Sequence, residues 1–292
     1  MRARAYAKVN LGLQVRSVGA DGYHPLRGLF QSVDWSDEIV VEDADADAIE
    51  VPGGGAPADR TNLAWQAVDA ARSMGRTGGP IRVVVRKDIP SSAGLGGGSA
   101  DAAAALSLAA HRFSVSFDDV RSLAADLGSD VPFAVVGGTA IVSGRGEYVS
   151  PQPAAAGFAL AIVVPPVELE TGAVYRAWDA LGGPDGPLIG SNDLPPTLRA
   201  YAPLANDLYP AAVSVAAAVD EWRAELAHRW GVPVLMTGSG SGLFGFFPTR
   251  SEAEGALGAV PAGARAMQAA EPVPFGWREV KERSPAGPAG PA

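Results

Sequence analysis

Residues 90–103 read P-S-S-A-G-L-G-G-G-S-A-D-A-A. Glycine at positions 94, 96, 97 and 98 removes the Cβ atoms that would keep backbone N–H groups from converging on one anion. The β-branched run Ile81 to Arg86 before the loop predicts a strand, and the alanine-rich run Ser99 to His111 after it predicts a helix. The positive end of that helix would face the same point, so strand, glycine loop and helix together make a cradle for phosphate oxygens, the alternative being a glycine loop that serves tight packing only. A Walker loop must close on Gly-Lys-Ser/Thr, whereas Gly98 is followed by Ser99-Ala100. The dinucleotide fingerprint, counted from Gly94, would need glycine where Ser99 stands. A literal G-x-G-x-x-G does occur at 240–245, but it runs into Phe246-Phe247, a strand pattern, where the fingerprint must open a helix. That loop reads instead as a second glycine turn whose backbone can approach a ligand or another loop.

The chain around this loop has 292 residues, enough for about two domains with real cores. Gly 36 and Pro 24 are plentiful, yet 47% hydrophobic residues mark a chain that folds. The net charge of −9 argues against a surface built for nucleic-acid phosphates or anionic lipid. With Cys 0 there is no disulfide framework, thiolate zinc site or cysteine nucleophile, and His24, His111 and His228 lack metal-ligand spacing. The N-terminus carries no secretory signal pattern, and the strongest apolar run, Phe158 to Val164, is far too short to cross a bilayer. A cytoplasmic protein with no membrane and no nucleic-acid partner is expected.

Strand periodicity at Leu11, Leu13 and Val15 leads to the turn cluster Gly19 to Gly22, and Ile39 to Val41 reads as another strand. Asp43 to Asp47 reads as a solvated loop. Thr61-Asn62 predicts the cap of a helix to about Ser73, and Ser116 with Asp119 the start of one stopping at Gly128. Val131 to Phe133 reads as apolar strand, and Thr139 to Ser143 as another. Helices are expected around Gly172 to Ala180 and from Ala211 to His228, with strands at Phe158 to Val164, Val232 to Met236 and Leu243 to Phe247, then a helix and a last strand. Strands and helices mix without strict βαβ alternation, which predicts an α+β fold. The loose segment from Pro151 to Gly157 sets an expected boundary, giving domains at 1–155 and 156–280, with 281–292 as a flexible tail.

Five residues outside the loop invite chemistry. Lys8 lies in an apolar strand, where an ammonium needs a partner or a ligand, unless it is a strand-end lysine reaching solvent. Asp130 is either a turn or cap aspartate or, with Lys8 and a phosphate loop, the base that takes a hydroxyl proton during phosphoryl transfer. Tyr23-His24 puts an aromatic face and a two-nitrogen hydrogen bonder on one loop, suited to stacking on a base and reading its edge, unless the segment is an exposed turn with a partly buried Tyr. Tyr175 on its helix reads as core or as a second aromatic face.

Together A-K-V-N-L-G-L (7–13), D-G-Y-H-P-L (21–26), L-F-Q-S-V-D (29–34), the 90–103 loop, G-S-D-V-P-F (128–133) and G-S-G-S-G (238–242) resemble the GHMP kinases. The resemblance runs from Lys8 to about Phe247, and its narrower pattern is similar to members whose acceptor alcohol carries a cytidine diphosphate. It implies an S5-like N-terminal domain, a ferredoxin-like C-terminal domain, and ATP with Mg²⁺ as the phosphoryl donor. It implies Asp130 as base and Lys8 as its charged neighbour. ATP would be held by Asn62, Lys87 and the loop Pro90, Ser91, Ser92, Ala93, Gly94, Leu95, Gly96, Gly97, Gly98, Ser99 and Ala100. Asn10, Tyr23, His24, Thr171, Tyr175, Gly238, Ser239 and Gly240 would line the side of the cytidyl diphosphate substrate. Ala100 stands where many relatives carry a second serine, so one hydroxyl contact to phosphate is in question. A side chain at Gly96 is expected to weaken ATP by intruding on its phosphates. Another small-molecule kinase of the homoserine or mevalonate type, or a nucleotide-binding protein without transfer, would share the loop.

Overall fold

The structure is a computed structural model and describes residues 1–20, 22–75 and 78–280. Arg2–Val15 (β1) and Leu26–Asp43 (β2) form a long antiparallel hairpin whose reversal is tied by the Gly22 N–H to the Gly19 carbonyl at 3.0 Å. The strand expected at residues 39–41 is thus the end of one that starts at Leu26. Ala48–Glu50 (β3) precedes Leu63–Met74 (α1), which begins at Asn62, whose Oδ1 accepts the Ala64 N–H at 2.9 Å. Ile81–Arg86 (β4) follows as expected, then Gly97–Phe113 (α2), Phe117–Leu127 (α3) and Val131–Val136 (α4). The expected strand after Asp130 is therefore a helix: Pro132 fits its first turn, where no N–H is needed. Thr139–Gly144 (β5) and Tyr148–Pro151 (β6) complete a seven-stranded sheet of order β11-β1-β2-β4-β3, with β5 on the other stretch of β2 and β6 outside it; its edge strand β11 is Trp277–Glu279.

The second half runs Ala159–Val164 (β7), Thr171–Ala180 (α5), Tyr209–Val215 (α6), Ala218–Trp230 (α7), Val234–Met236 (β8), Leu243–Phe247 (β9), Arg250–Leu257 (α8) and Ala266–Ala270 (β10). The helix expected from Ala211 to His228 is two, broken where Ala216 turns extended. Its four strands lie in the order β10-β7-β9-β8, all antiparallel. A strand, helices, two strands, a helix and a strand in that order is the ferredoxin-like arrangement. The sheets divide near the expected residue 155, but β11 crosses back to pair with β1.

The helix α2 shows why this sequence is so rich in alanine. Its residues from Ala100 to Ala110 are almost all buried, and it packs against α1, α3 and α4 as well as β1 and β2. Only small side chains let one helix meet that many neighbours closely. A second apolar cluster joins Val9, Leu11 and Leu95 to Leu160, Ile162 and Phe244, so both sheets share one core beneath the cleft between them. Among the described residues no helix is long and apolar enough to cross a membrane. Asp21 of the expected turn and the expected tail at 281–292 lie outside the described residues.

Candidate active site

A cavity of about 850 Å³ opens where the halves meet, walled by the 90–99 loop, Lys8, Asn62, Asp130, the start of α5 and the 238–240 turn. The glycine loop takes its shape from three sources. Gly94 and Gly96 sit at φ +70° and +68°, which favours residues without a Cβ. A Cβ on Gly94 would stand 2.1 Å from the Thr237 carbonyl oxygen, so the second glycine turn closes directly on this one. The Gly242 N–H donates to the Ala93 carbonyl at 3.1 Å, and the Thr237 hydroxyl to that of Gly94 at 3.1 Å. The literal dinucleotide motif at 240–245 thus serves loop-to-loop packing and enters β9 rather than a helix. Because α2 begins at Gly97, Gly97 and Gly98 form its first turn and leave their N–H groups toward the cavity end.

Lys8 is not a strand-end lysine. It is 6% exposed in the middle of β1, and its ammonium donates to Asn10 Oδ1 at 2.5 Å and to the Gly94 carbonyl at 2.9 Å. The same nitrogen lies 3.4 Å from Asp130 Oδ2. Asp130 occupies the N-cap position of α4, yet its side chain makes no cap hydrogen bond, so the carboxylate faces the ammonium and the cavity instead. Asn10 lines the cavity and also holds Lys8, since its backbone N–H donates to the Thr237 hydroxyl at 2.9 Å and its side-chain carbonyl accepts from the ammonium. A Cβ on Gly96 would come within 3.0 Å of Lys8 Cγ and 3.6 Å of Asp130 Oδ2. The first thing a side chain there would meet is this pair.

Lys87 reaches the cavity but is already held. Its ammonium pairs with Asp37 on β2 and donates to Asp101 Oδ2 on α2 at 2.7 Å, while Asp37 Oδ1 accepts the N–H groups of Asp88 at 2.6 Å and Ile89 at 2.8 Å. Burial opposes the Lys87 charge, but the two carboxylates outweigh it and hold the ammonium above its usual range. Burial, followed by the charge of Asp37, pushes the Asp101 carboxyl up to about 8 despite Lys87. One ammonium shared by two buried carboxyls leaves one negative charge too many. Asp101 Oδ1 has no hydrogen-bond partner among the described residues. Asn62 is committed too: besides capping α1 it donates to the Pro57 carbonyl at 2.7 Å. Ala100 does not join the cavity at all. It is 1% exposed in the first turn of α2, with its N–H on the Gly96 carbonyl.

On the opposite wall the Thr171 hydroxyl meets that of Ser239 at 3.0 Å, joining α5 to the 238–240 turn. Tyr175 packs on the His24 ring, centroids 5.1 Å apart, and Trp178 meets that ring edge-on. Burial, helped by the charge of Asp130, pushes the Tyr175 hydroxyl up to about 12. Both His24 nitrogens face protein: Nδ1 is 3.0 Å from the Arg16 carbonyl and Nε2 3.3 Å from Asp179. The ring itself lies on the cavity wall, with Arg16 and Asp179 beside its two nitrogens. Tyr23 is 54% exposed at the rim, with the Arg145 guanidinium 4.5 Å from its ring centroid.

A sequence model of the GHMP kinases N terminal domain matches residues 62–138. The 4-diphosphocytidyl-2-C-methyl-D-erythritol kinase of Saccharopolyspora erythraea is 43% identical over 230 residues, 73% of this chain and 72% of that one. The chain belongs to this family of kinases. A crystal structure of 4-(cytidine 5'-diphospho)-2C-methyl-D-erythritol kinase superposes with a TM-score of 0.74 at 32% identity, covering 93% of this chain and 99% of the other. Homoserine kinase from Cytophaga hutchinsonii, at 16% identity and a TM-score of 0.69 over 95% and 96% of the two chains, shares the fold. The chain is thus an ATP-dependent small-molecule kinase of the two-domain α+β GHMP type.

Three residues of the site lay beyond the reading of its motifs. Asp101 had a visible signal, a lone carboxylate in an alanine helix that carries no other charge before His111. Thr237 borders the second glycine turn, but nothing local tells that it meets Asn10 on β1. Asp37 had no signal, because its partners lie 50 to 52 residues further along the chain.

Proposed function

We propose that the chain transfers the γ-phosphoryl group of ATP to the 2-hydroxyl of 4-diphosphocytidyl-2-C-methyl-D-erythritol, a step of the non-mevalonate route to isoprenoid precursors. One observation carries the site assignment: a buried ammonium 3.4 Å from a carboxylate that caps nothing, at the edge of a glycine loop opening a helix. Asp130 accepts the proton of the attacking hydroxyl as its oxygen bonds to the γ-phosphorus and the bridging bond to ADP breaks. Lys8, aimed by Asn10 and the Gly94 carbonyl, steadies the negative charge on the transferring group. The backbone of residues 91–98 and the start of α2 would hold the phosphates. Gly96 and Gly94 support that fit, since the φ there and the crowding behind leave room for backbone only.

Mg²⁺ belongs to the same reading as the ion that neutralises the ATP phosphates. Hard oxygen donors of the kind it takes are present on the cavity wall in Asp130 and in the hydroxyls of Ser91 and Ser92. On the acceptor side, the exposed ring of Tyr23 supports a stacked cytosine, and Thr171, Ser239 and Tyr175 bring hydroxyls to the polar part of the substrate. The division at residue 155, a cytoplasmic setting and the lack of a nucleic-acid partner stand as parts of this proposal. Separate sheets support the first and the overall negative charge supports the last.

The test measures ADP release with the cytidyl alcohol, homoserine and mevalonate in turn, with and without chelator. Turnover confined to the cytidyl alcohol and abolished by chelation is expected. Turnover of an alcohol without a base at an equal rate would refute the substrate assignment.

A further inference from the structure

Arg265, immediately before β10 in the second half of the chain, reaches across to the phosphate loop in the first. Its guanidinium donates through one nitrogen to the carbonyls of Ser91 at 3.2 Å and Ser92 at 3.3 Å. Its other nitrogens donate to the Pro165 carbonyl at 3.3 Å and to Glu168 Oε1 at 2.6 Å. Its own N–H is tied to the Val164 carbonyl at 2.8 Å, so the side chain starts from a fixed point on the sheet. Four acceptors from two separate segments meet one planar donor fork, a geometry that a lysine ammonium cannot reproduce.

The loop needs such a brace. Ser92 has φ +52°, and Ser114, at the end of α2, is the only other non-glycine residue with positive φ among the described residues. A side chain in that region is strained and persists where its surroundings hold it there. The guanidinium holds the carbonyls on both sides of the strained residue's peptide links. A trans peptide points its N–H opposite to its C=O. With the carbonyls of Ser91 and Ser92 turned to Arg265, the N–H groups of Ser92 and Ala93 are turned away from it. Both residues belong to the cavity wall. Glu168, at the other end of the brace, leads into Leu169, Glu170 and Thr171 of the opposite wall.

We propose that Arg265 is a positioning residue for the nucleotide, holding the entrance of the phosphate loop in its binding shape and tying it to the 165–168 segment across the cleft. The proposal rests on the kinase reading of the site and deepens it. Arg265 touches neither reacting atom, so its loss should appear in nucleotide binding more than in the chemical step.

Steady-state kinetics with ATP and the cytidyl alcohol varied in turn, and calorimetric titration of ADP, test it on the full chain for wild type, Arg265→Ala, Arg265→Gln and Arg265→Lys. All are assayed well below each variant's own Tm. The KM for ATP and the Kd for ADP should both rise about tenfold or more in Arg265→Ala and Arg265→Gln, with kcat and the KM for the alcohol within about threefold. Arg265→Lys should recover only a small part of the loss. If the alanine variant does not fold, the other two decide. ADP affinity within about twofold of wild type in the folded variants, or full rescue by lysine, would overturn the proposal. Wild-type inactivity on the cytidyl alcohol would instead remove the substrate assignment, and the ADP titration would still judge Arg265 by itself.

Discussion

Replacing Gly96 with alanine adds a single carbon beside the Lys8–Asp130 pair. That carbon would lie 3.0 Å from Lys8 Cγ and 3.1 Å from Cε, so the lysine must give by a few tenths of an ångström. Lys8 has little freedom to do so, being 6% exposed and held through its ammonium by Asn10 and the Gly94 carbonyl. The shift therefore passes to the ammonium and its 3.4 Å approach to Asp130. A misplacement of about 1 Å costs roughly 10²-fold in rate, so a displacement of a fraction of that should lower kcat by about tenfold. The backbone adds a separate cost, because φ +68° suits glycine and disfavours alanine by about 1–2 kcal/mol. At about 2–4 °C per kcal/mol for a chain of this class, Tm should fall by roughly 2–8 °C. ADP release measured against both substrates, with a melting curve on the same sample, separates the two effects. Gly255→Ala is the control, since among the described residues nothing lies within 4 Å of its added carbon on α8: kcat should hold, and Tm should hold or rise by a few degrees because alanine favours helix over glycine by up to about 1 kcal/mol. A tenfold rise in the KM for ATP with kcat unchanged would show that Gly96 senses the phosphates, as its motif alone suggests, and would refute the argument through Lys8.

Asp130→Asn should lower kcat by about 10²–10⁴-fold while ADP titrates within a few-fold of wild type, since an amide keeps the shape but cannot take the proton; near-normal turnover would remove Asp130 as the base. Asp101 bears on pH. Its carboxyl is raised from 3.8 to about 8 on folding, so between those values the folded chain binds more protons than the unfolded one and stability falls as pH climbs through that window. Asp101→Asn should flatten that decline in melting curves recorded from about pH 5 to pH 9, and an unchanged slope would mean that Asp101 is not its source. Tyr23→Ala should raise the KM for the cytidyl alcohol by about ten- to a hundredfold, matching roughly 1–3 kcal/mol of stacking, and weaken competition by CMP. With 54% of Tyr23 exposed, Tm should barely move; a large fall in Tm with competition intact would return it to a packing role.

Much of the fold was legible where a local pattern carries its own physics. The β-branched run of β4, the Asn62 cap of α1, the Ser116 cap of α3 and the glycine stop after it all stand where the sequence puts them. Reading failed where context overrode the pattern. The short apolar run after Asp130 fits strand and helix equally, and Pro132 in the first turn together with packing against α2 decided for helix. The extent of β2 was hidden because its two stretches pair with different partners, β5 near Leu26 and β4 near Asp43, which no local period records.

The site divides in the same way. The sequence alone marked a glycine loop between a strand and a helix as the candidate phosphate cradle, left no cysteine for thiolate chemistry, and singled out Lys8 and Asp130 as the charged residues to watch. Those conclusions follow from residue type and local spacing, which the chain carries wherever it folds. Tertiary structure decided which charges meet. It brought Lys8 within 3.4 Å of Asp130, bound Lys87 between Asp37 and Asp101, turned the His24 nitrogens to Arg16 and Asp179, and drew Ala100 into the core. It also set Arg265 against Ser91 and Ser92 from more than 170 residues away. Electrostatic and hydrogen-bond energies depend on distance and burial, and both are properties of the packed chain that no run of neighbouring residues contains.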